Sequence, residues 1–281
     1  MSFVDVKGIR TFYYEYGNAK GEDVLFIHGL GSSSITWRDI PDALSRHFHT
    51  IAVDLVGFGL SEKPKESDYY TIEGFSKFII DFLETIGSTK EEASKISLIG
   101  HSLGGYIAAQ VATQLKEKIK RLVLVDSSGL LESPTPLLND YYAAAMEVNP
   151  ITRYEKIKRV LEDMYASPSR LLPIAVDLFN YIIEKQGARY AFELTFKNST
   201  TTQIKLEGFR EIQDVQCLVL WGEKDNLIPI RYYDMFRQKL PKANCEVIPD
   251  AGHAPFIEKT ALFYEKLSAF LSQNIIRNNN R

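Results

Sequence analysis

At 281 residues the chain is long for one mixed domain and short for two independent ones, so a large α/β core carrying an insertion is expected. Its make-up, 45% hydrophobic, 25% charged and 12% aromatic with a net charge of -3, is that of a globular protein and argues against a general nucleic-acid binder. No run of about 20 apolar residues and no basic, then apolar leader occurs, so neither a membrane span nor export is expected, and the cytoplasm is the expected location.

Taken in order, "FVDV" and "IRTFYYEYG" alternate around Lys7-Gly8 and predict two strands joined by a tight turn. "DVLFIHG" is continuously apolar, the mark of a strand buried on both faces. "ITWRDIPDALSRHF" predicts a short helix with His47 and His49 flanking its end, and "TIAVDLVGFG" another buried strand. In "TIEGFSKFIIDFLETIG" the apolar residues recur at helical spacing until Gly87 stops them. "KISLIG" predicts a strand and "LGGYIAAQVATQL" a helix. "RLVLVDSSG" and "QCLVLWGEKD" predict later strands, "CEVIPDAGH" follows, and "EKTALFYEKLSAFLSQN" closes the chain as an amphipathic helix. Strands alternating with helices imply a mostly parallel central sheet flanked by helices. The segment 130–206 breaks the rhythm with prolines, aromatics and helical patterns. It is expected to be a helical cap inserted between core segments 1–129 and 207–281. Cys217 and Cys245 sit at strand edges without metal-ligand spacing, so reduced thiols and no metal site are expected.

One stretch carries chemistry. In "LIGHSLGGYIAAQ", Gly100-x-Ser102-x-Gly104 stands between a strand and a helix. A nucleophile on such a sharp turn adopts a strained backbone, and side chains two residues either side of it would collide, hence the glycines. The turn also places Ser102 at a helix N-terminus, where free N–H groups and the helix dipole favour negative charge.

With these residues the chain resembles the α/β-hydrolase superfamily over nearly its whole length, and within it the serine carboxylesterases with a helical cap. The resemblance implies a Ser…Asp…His order. His253, in the loop "PDAGHAPFIE", stands where the family carries its base. His28 belongs to the "HG" motif and is expected to shape a turn, and His101 is expected to point to the opposite face from its neighbour Ser102. Asp225, in "LVLWGEKDNLIP", matches the family's usual acid loop, and Asp126, in "LVLVDSSG", is the other place where members carry the acid. Glu223 is expected to be solvated, and Asp54 to serve turns. The oxyanion hole is expected from the backbone N–H groups of Leu103 and of Leu30 in "HGLGSSS". By family position, Trp37 and Leu227 are expected in the pocket wall.

Single residues narrow the chemistry. Serine at the nucleophile position argues against dehalogenases and epoxide hydrolases, which carry aspartate there. Carbon–carbon hydrolases of ring-cleavage products typically show Asn before the serine and Trp after the base, where this chain has His101 and Ala254. Gly104-Gly105 departs from the elbow of the hormone-receptor relatives. The expectation is a serine esterase acting on a small-molecule carboxylic ester through an acyl-enzyme, with no cofactor, nucleic acid or membrane as partner. A carbon–carbon hydrolase, a perhydrolase and a triad-retaining ligand-binding or signalling protein are the alternatives. Cap aromatics, Tyr141, Tyr165 and Phe179 among them, are candidates to roof the pocket.

Overall fold

A computed structural model describes residues 1–88, 95–167 and 172–273. Eight strands run in chain order as β1 (Ser2–Val6), β2 (Ile9–Tyr16), β3 (Glu22–Ile27), β4 (Phe48–Val53), β5 (Ile96–His101), β6 (Ile119–Val125), β7 (Gln216–Gly222) and β8 (Asn244–Ile248). They form one sheet in the order β1-β2-β4-β3-β5-β6-β7-β8. The β1–β2 and β2–β4 pairs are antiparallel, and every other pair is parallel. The family's α/β-hydrolase architecture, a mostly parallel sheet flanked by helices with a helical insertion, is therefore present.

The apolar runs fold this way because successive residues of a strand face opposite sides of the sheet. Leu25 and Ile27 of β3 join one apolar cluster, with helices α2 (Ile72–Ile86) and α3 (Leu103–Gln114). Val24 and Phe26 join the other, with α1 (Asp39–Leu44) and the closing helix α11 (Thr260–Ser272). Each large side chain so buried contributes about 1.5–3 kcal/mol. The predicted helix after β3 is broken: Ser34–Trp37 is a 3-10 turn, and only Asp39–Leu44 is α-helical.

Between β6 and β7 lie α4 (Pro136–Met146), α5 (Pro150–Met164), α6 (Leu172–Ile183), α7 (Ala188–Thr200) and α8 (Leu206–Ile212). The prolines that break the pattern start two of these helices. Pro136 follows the N-cap Thr135, whose side chain accepts from Leu138 N at 3.2 Å. Pro150 follows Asn149, which accepts from Ile151 and Thr152 N, both at 3.0 Å. Fully buried Arg153 fastens α5 to its neighbours, donating to Asn180 Oδ1 at 2.9 Å and Glu147 O at 3.1 Å and pairing with Glu184. Helix α8 packs on α3 of the core. Past it come α9 (Arg231–Lys239) and the short α10 (Pro255–Glu258). Among the described residues no helix is long and apolar enough to cross a membrane.

His49 does not flank a helix end. It lies in β4, 9% exposed, and donates from Nδ1 to Asp23 Oδ1 at 2.6 Å, with Glu15 at 3.3 Å from Nε2. The hydrogen bond to Asp23 raises the imidazole above the ordinary histidine value. A raised value stabilises the fold fully below the unfolded pKa of about 6.5, and that contribution fades as pH rises through the folded value. Thermal melts of wild type and His49→Asn are therefore expected to differ most in mildly acidic buffer and to converge as the pH rises.

Candidate active site

Strand order reverses beside β3: β4 lies on one side of it and β5 on the other. The carboxyl ends of β3 and β5 consequently open a crevice, the place where ligands bind in open α/β sheets. Ser102 follows β5 directly, with φ 54° and ψ -120°, and is the N-cap of α3. Such a backbone costs of order 1–3 kcal/mol and persists only when its surroundings enforce it. Here they do. Ser102 N donates to Val125 O at 2.9 Å, and Ser102 O accepts from Ser128 N at 3.0 Å and Ser128 Oγ at 3.2 Å. A Cβ on Gly100 would lie 2.1 Å from Gly104 O, and one on Gly104 would lie 2.2 Å from Ile27 O. Both glycines are thus required by close backbone approach. Leu103 heads α3, so its N–H has no partner within the helix.

The loop after β3 presses against this turn. A Cβ on Gly29 would stand 3.1 Å from Ser102 Cβ. His28 shapes the loop: its Nε2 accepts from Leu55 N at 3.0 Å, which leaves Nδ1–H to donate to Gly29 O at 2.8 Å. Burial lowers its pKa and keeps it neutral in that role. Asp54 braces the loop from below, accepting from Ser34 N at 2.7 Å, Ser34 Oγ at 2.5 Å and Leu60 N at 2.7 Å. Leu30 lines the same cavity as Ser102.

The third loop follows β7. Asp225 Oδ1 accepts from Leu227 N at 2.8 Å and Ile228 N at 2.9 Å, while Oδ2 accepts from His253 Nδ1 at 2.7 Å. In that bond Nδ1 is the donor, since the carboxylate accepts. His253 and Ser102 line one cavity. Of the two acid candidates, Asp225 alone hydrogen-bonds the imidazole, whereas Asp126 Oδ1 accepts from Gly222 N at 2.7 Å. Glu223 is exposed. Asp126, Asp225 and His253 have ligand-type atoms within 4.8 Å of one another. Two of these groups are already joined to each other by the Asp225–His253 hydrogen bond.

The imidazole of His253 is held by its own peptide. His253 N donates to Met164 O at 2.9 Å, at the end of cap helix α5. Its carbonyl accepts from His101 Nε2 at 2.7 Å. His101 does not turn away from the site. Its ring lies 4.7 Å from that of His253 and lines the cavity, because the bend at Ser102 ends the alternation that would separate neighbours. Burial and the adjacent His253 hold His101 well below the usual histidine value.

The cavity measures about 110 Å³. Leu227 lines it, as do Tyr141, Tyr165 and Phe179 of the cap, beside Leu138, Leu161 and Met164. Trp37 does not. It is fully buried in the sheet-side cluster, stacked on Phe256 at 4.1 Å between ring centres, so that Phe256 rather than Trp37 forms the wall. Of the other cap aromatics, Tyr142 stacks on Phe196 at 4.5 Å, whereas Tyr181 is exposed.

Glu258 has no counterpart among the residues that sequence singles out. Its Oε2 accepts from Ala166 N at 2.8 Å in the cap, and its Oε1 from Gly252 N at 2.9 Å and Ala254 N at 3.3 Å, on either side of His253. Burial raises its pKa above the ordinary glutamate value. Leaving such N–H groups unpaired costs about 1–3 kcal/mol each. Glu258→Ala is expected to lower the melting temperature and to reduce turnover beyond what the stability loss explains. Glu258→Gln, which keeps one acceptor oxygen, is expected to fall between it and wild type in both assays.

Known proteins share this fold. The family described as alpha/beta hydrolase fold matches residues 24–260. Lipase 3 of Moraxella sp. (strain TA144) is 29% identical over 261 residues, covering 89% of this chain and 78% of the lipase. The 2-hydroxy-6-oxo-6-(2'-aminophenyl)hexa-2,4-dienoic acid hydrolase of Metapseudomonas resinovorans is 27% identical over 285 residues, covering 96% of this chain and 90% of that enzyme. Among solved structures, a serine hydrolase involved in carbazole degradation (CarC enzyme) superposes with a TM-score of 0.80 at 25% identity, covering 96% of this chain and 98% of that one. A match that begins in β3 and runs into the last helix takes in all three loops that meet at Ser102, and the chain belongs to the α/β-hydrolase fold family.

Proposed function

We propose that the protein is a serine hydrolase of small, uncharged carboxylic esters. The observation that carries this reading is the pairing of His253 with Asp225 at 2.7 Å on a cavity shared with Ser102. A serine hydroxyl is a weak nucleophile until an imidazole takes its proton, and the imidazole needs a carboxylate to fix its tautomer and steady its cation. In the proposed cycle Ser102 Oγ attacks the ester carbonyl as Nε2 of His253 takes the proton. The tetrahedral oxyanion is received by the N–H groups of Leu30 and Leu103. Collapse expels the alcohol, protonated by His253, and leaves the acyl-serine. Water, deprotonated by His253, then releases the acid.

The lining supports the substrate class. Among its described residues are aliphatic and aromatic side chains, the hydroxyls of Ser32, Ser33 and Thr36, and no lysine or arginine. A neutral, apolar acyl group suits this wall. A dienoic acid, the kind of substrate named for the relative from Metapseudomonas, would bring a carboxylate without a cationic partner among these residues. The volume of about 110 Å³ is below the roughly 300–1,000 Å³ of sites for drug-sized ligands, which favours short acyl chains.

Hydrolysis of p-nitrophenyl acetate, butyrate, octanoate and laurate tests this directly, with a ring-cleavage dienoate run in parallel. Acetate and butyrate are expected to turn over fastest and the dienoate not at all. Ser102→Ala is expected to abolish turnover, and Asp225→Asn to reduce kcat by a factor on the order of 10³ or more. Turnover of the dienoate with none of the esters would replace the ester reading by carbon–carbon bond hydrolysis.

A further inference from the structure

Asp126 is unusual for a residue outside the relay. It is fully buried, and its backbone sits at a positive φ of 42° directly after β6. Asp126 N donates to Leu220 O at 3.0 Å, which anchors this strained position to β7. One side-chain oxygen, Oδ1, accepts from Gly222 N. The other, Oδ2, is buried with no donor facing it. A carboxylate oxygen of Asp126, one of Asp225 and a ring nitrogen of His253 lie within 4.8 Å of one another, and Glu258 acts on Asp126 from longer range.

Two carboxylates this close in a water-excluded site cannot both carry charge, so one of them holds a proton. The donors decide which. Asp225 receives three, from Leu227 N, Ile228 N and His253 Nδ1, a set that suits an anion and leaves room for one more. Asp126 receives one. We propose that Asp126 is a neutral carboxylic acid that donates its Oδ2 proton to the carboxylate of Asp225, and so acts as a positioning residue for the acid of the relay. Burial, and then the neighbouring Asp225 charge, push the Asp126 carboxyl well above the usual carboxylate range, in keeping with this arrangement.

The arrangement has two effects. It gives Asp225 a fourth donor and fixes the plane in which that carboxylate meets His253. It also keeps a second negative charge away from the imidazole, which would otherwise hold the imidazolium too tightly to release its proton at neutral pH. The orphan oxygen and the strained backbone are then explained together: the turn spends conformational energy to aim a proton at the acid.

The role presumes the ester-hydrolase relay proposed above, and its test separates the two. Infrared spectra of wild type and Asp126→Asn near neutral pH, in H2O and D2O, are expected to show a neutral-acid C=O band in the wild type that the variant lacks. Asparagine is as neutral as the acid it replaces and can donate to Asp225 while accepting from Gly222 N. The acid limb of kcat/KM for p-nitrophenyl acetate is therefore expected to stay in place in Asp126→Asn. Asp126→Leu, which offers neither donor nor acceptor, is expected to lose about tenfold in kcat, and Asp126→Asn to restore most of that loss. Identical carboxyl bands in the two proteins would overturn the proposal. So would an acid limb that falls by roughly one to three pH units in Asp126→Asn, since that shift reports removal of an anion. If no ester turns over, the infrared comparison still decides the proton, while Ser102→Ala decides the reading of the relay.

Discussion

The backbone turn at Ser102 is the constraint on which the rest of the site depends. A residue at φ 54° between a strand and a helix is held there by Val125 O at the end of β6 and the two donors of Ser128 just past it, and by glycines that let β5, α3 and the end of β3 approach within contact of one another. Once this corner is set, the remaining placements follow. The loop after β3 can only pass where Gly29 touches Ser102, which brings Leu30 alongside it. The end of β6 must lie beside the turn, and this puts Asp126 next to the loop that follows β7.

Much of this was legible in the sequence for physical reasons. The central strands are buried on both faces and read as unbroken apolar runs, and the elbow glycines stand at the spacing that backbone crowding demands. Of the two acid candidates, it is Asp225 that hydrogen-bonds His253. What sequence missed has equally physical causes. His101 was expected on the far face because strands alternate, but alternation fails where a strand ends in a strained turn. Helix α9 buries only Tyr232, Tyr233 and Phe236, a pattern too short to stand out from its polar neighbours. Trp37 and Phe256 stack upon each other, and nothing in the sequence says which of the two rings faces the cavity. Glu258 acts on peptide N–H groups, one of them 92 residues away, and backbone partners leave no trace in a pattern of side chains.

The electrostatic design keeps nearby groups uncharged so that a few can change charge. His28 and His101 are held neutral by burial, and both direct their N–H groups at backbone carbonyls. In a site of low polarity each extra charge would compete with the oxyanion and the imidazolium of the proposed acyl transfer. Among the described residues, the lining contributed by the cap carries no charged side chain either.

The peptide of His253 belongs to both halves of the molecule: its N–H donates to Met164 O in the cap, and its carbonyl accepts from His101 Nε2 in the core. Cap and core are therefore not interchangeable modules. A cap taken from another member and grafted onto this sheet would have to present a backbone acceptor where Met164 O stands. Without one, the buried N–H of His253 would go unpaired, and the chimera would lose the alignment of that imidazole even with the side chains of Ser102, Asp225 and His253 all in place. In protein engineering terms, the junction that matters for exchanging specificity lies at the far end of α5, not at the two points where the insertion leaves and rejoins the sheet.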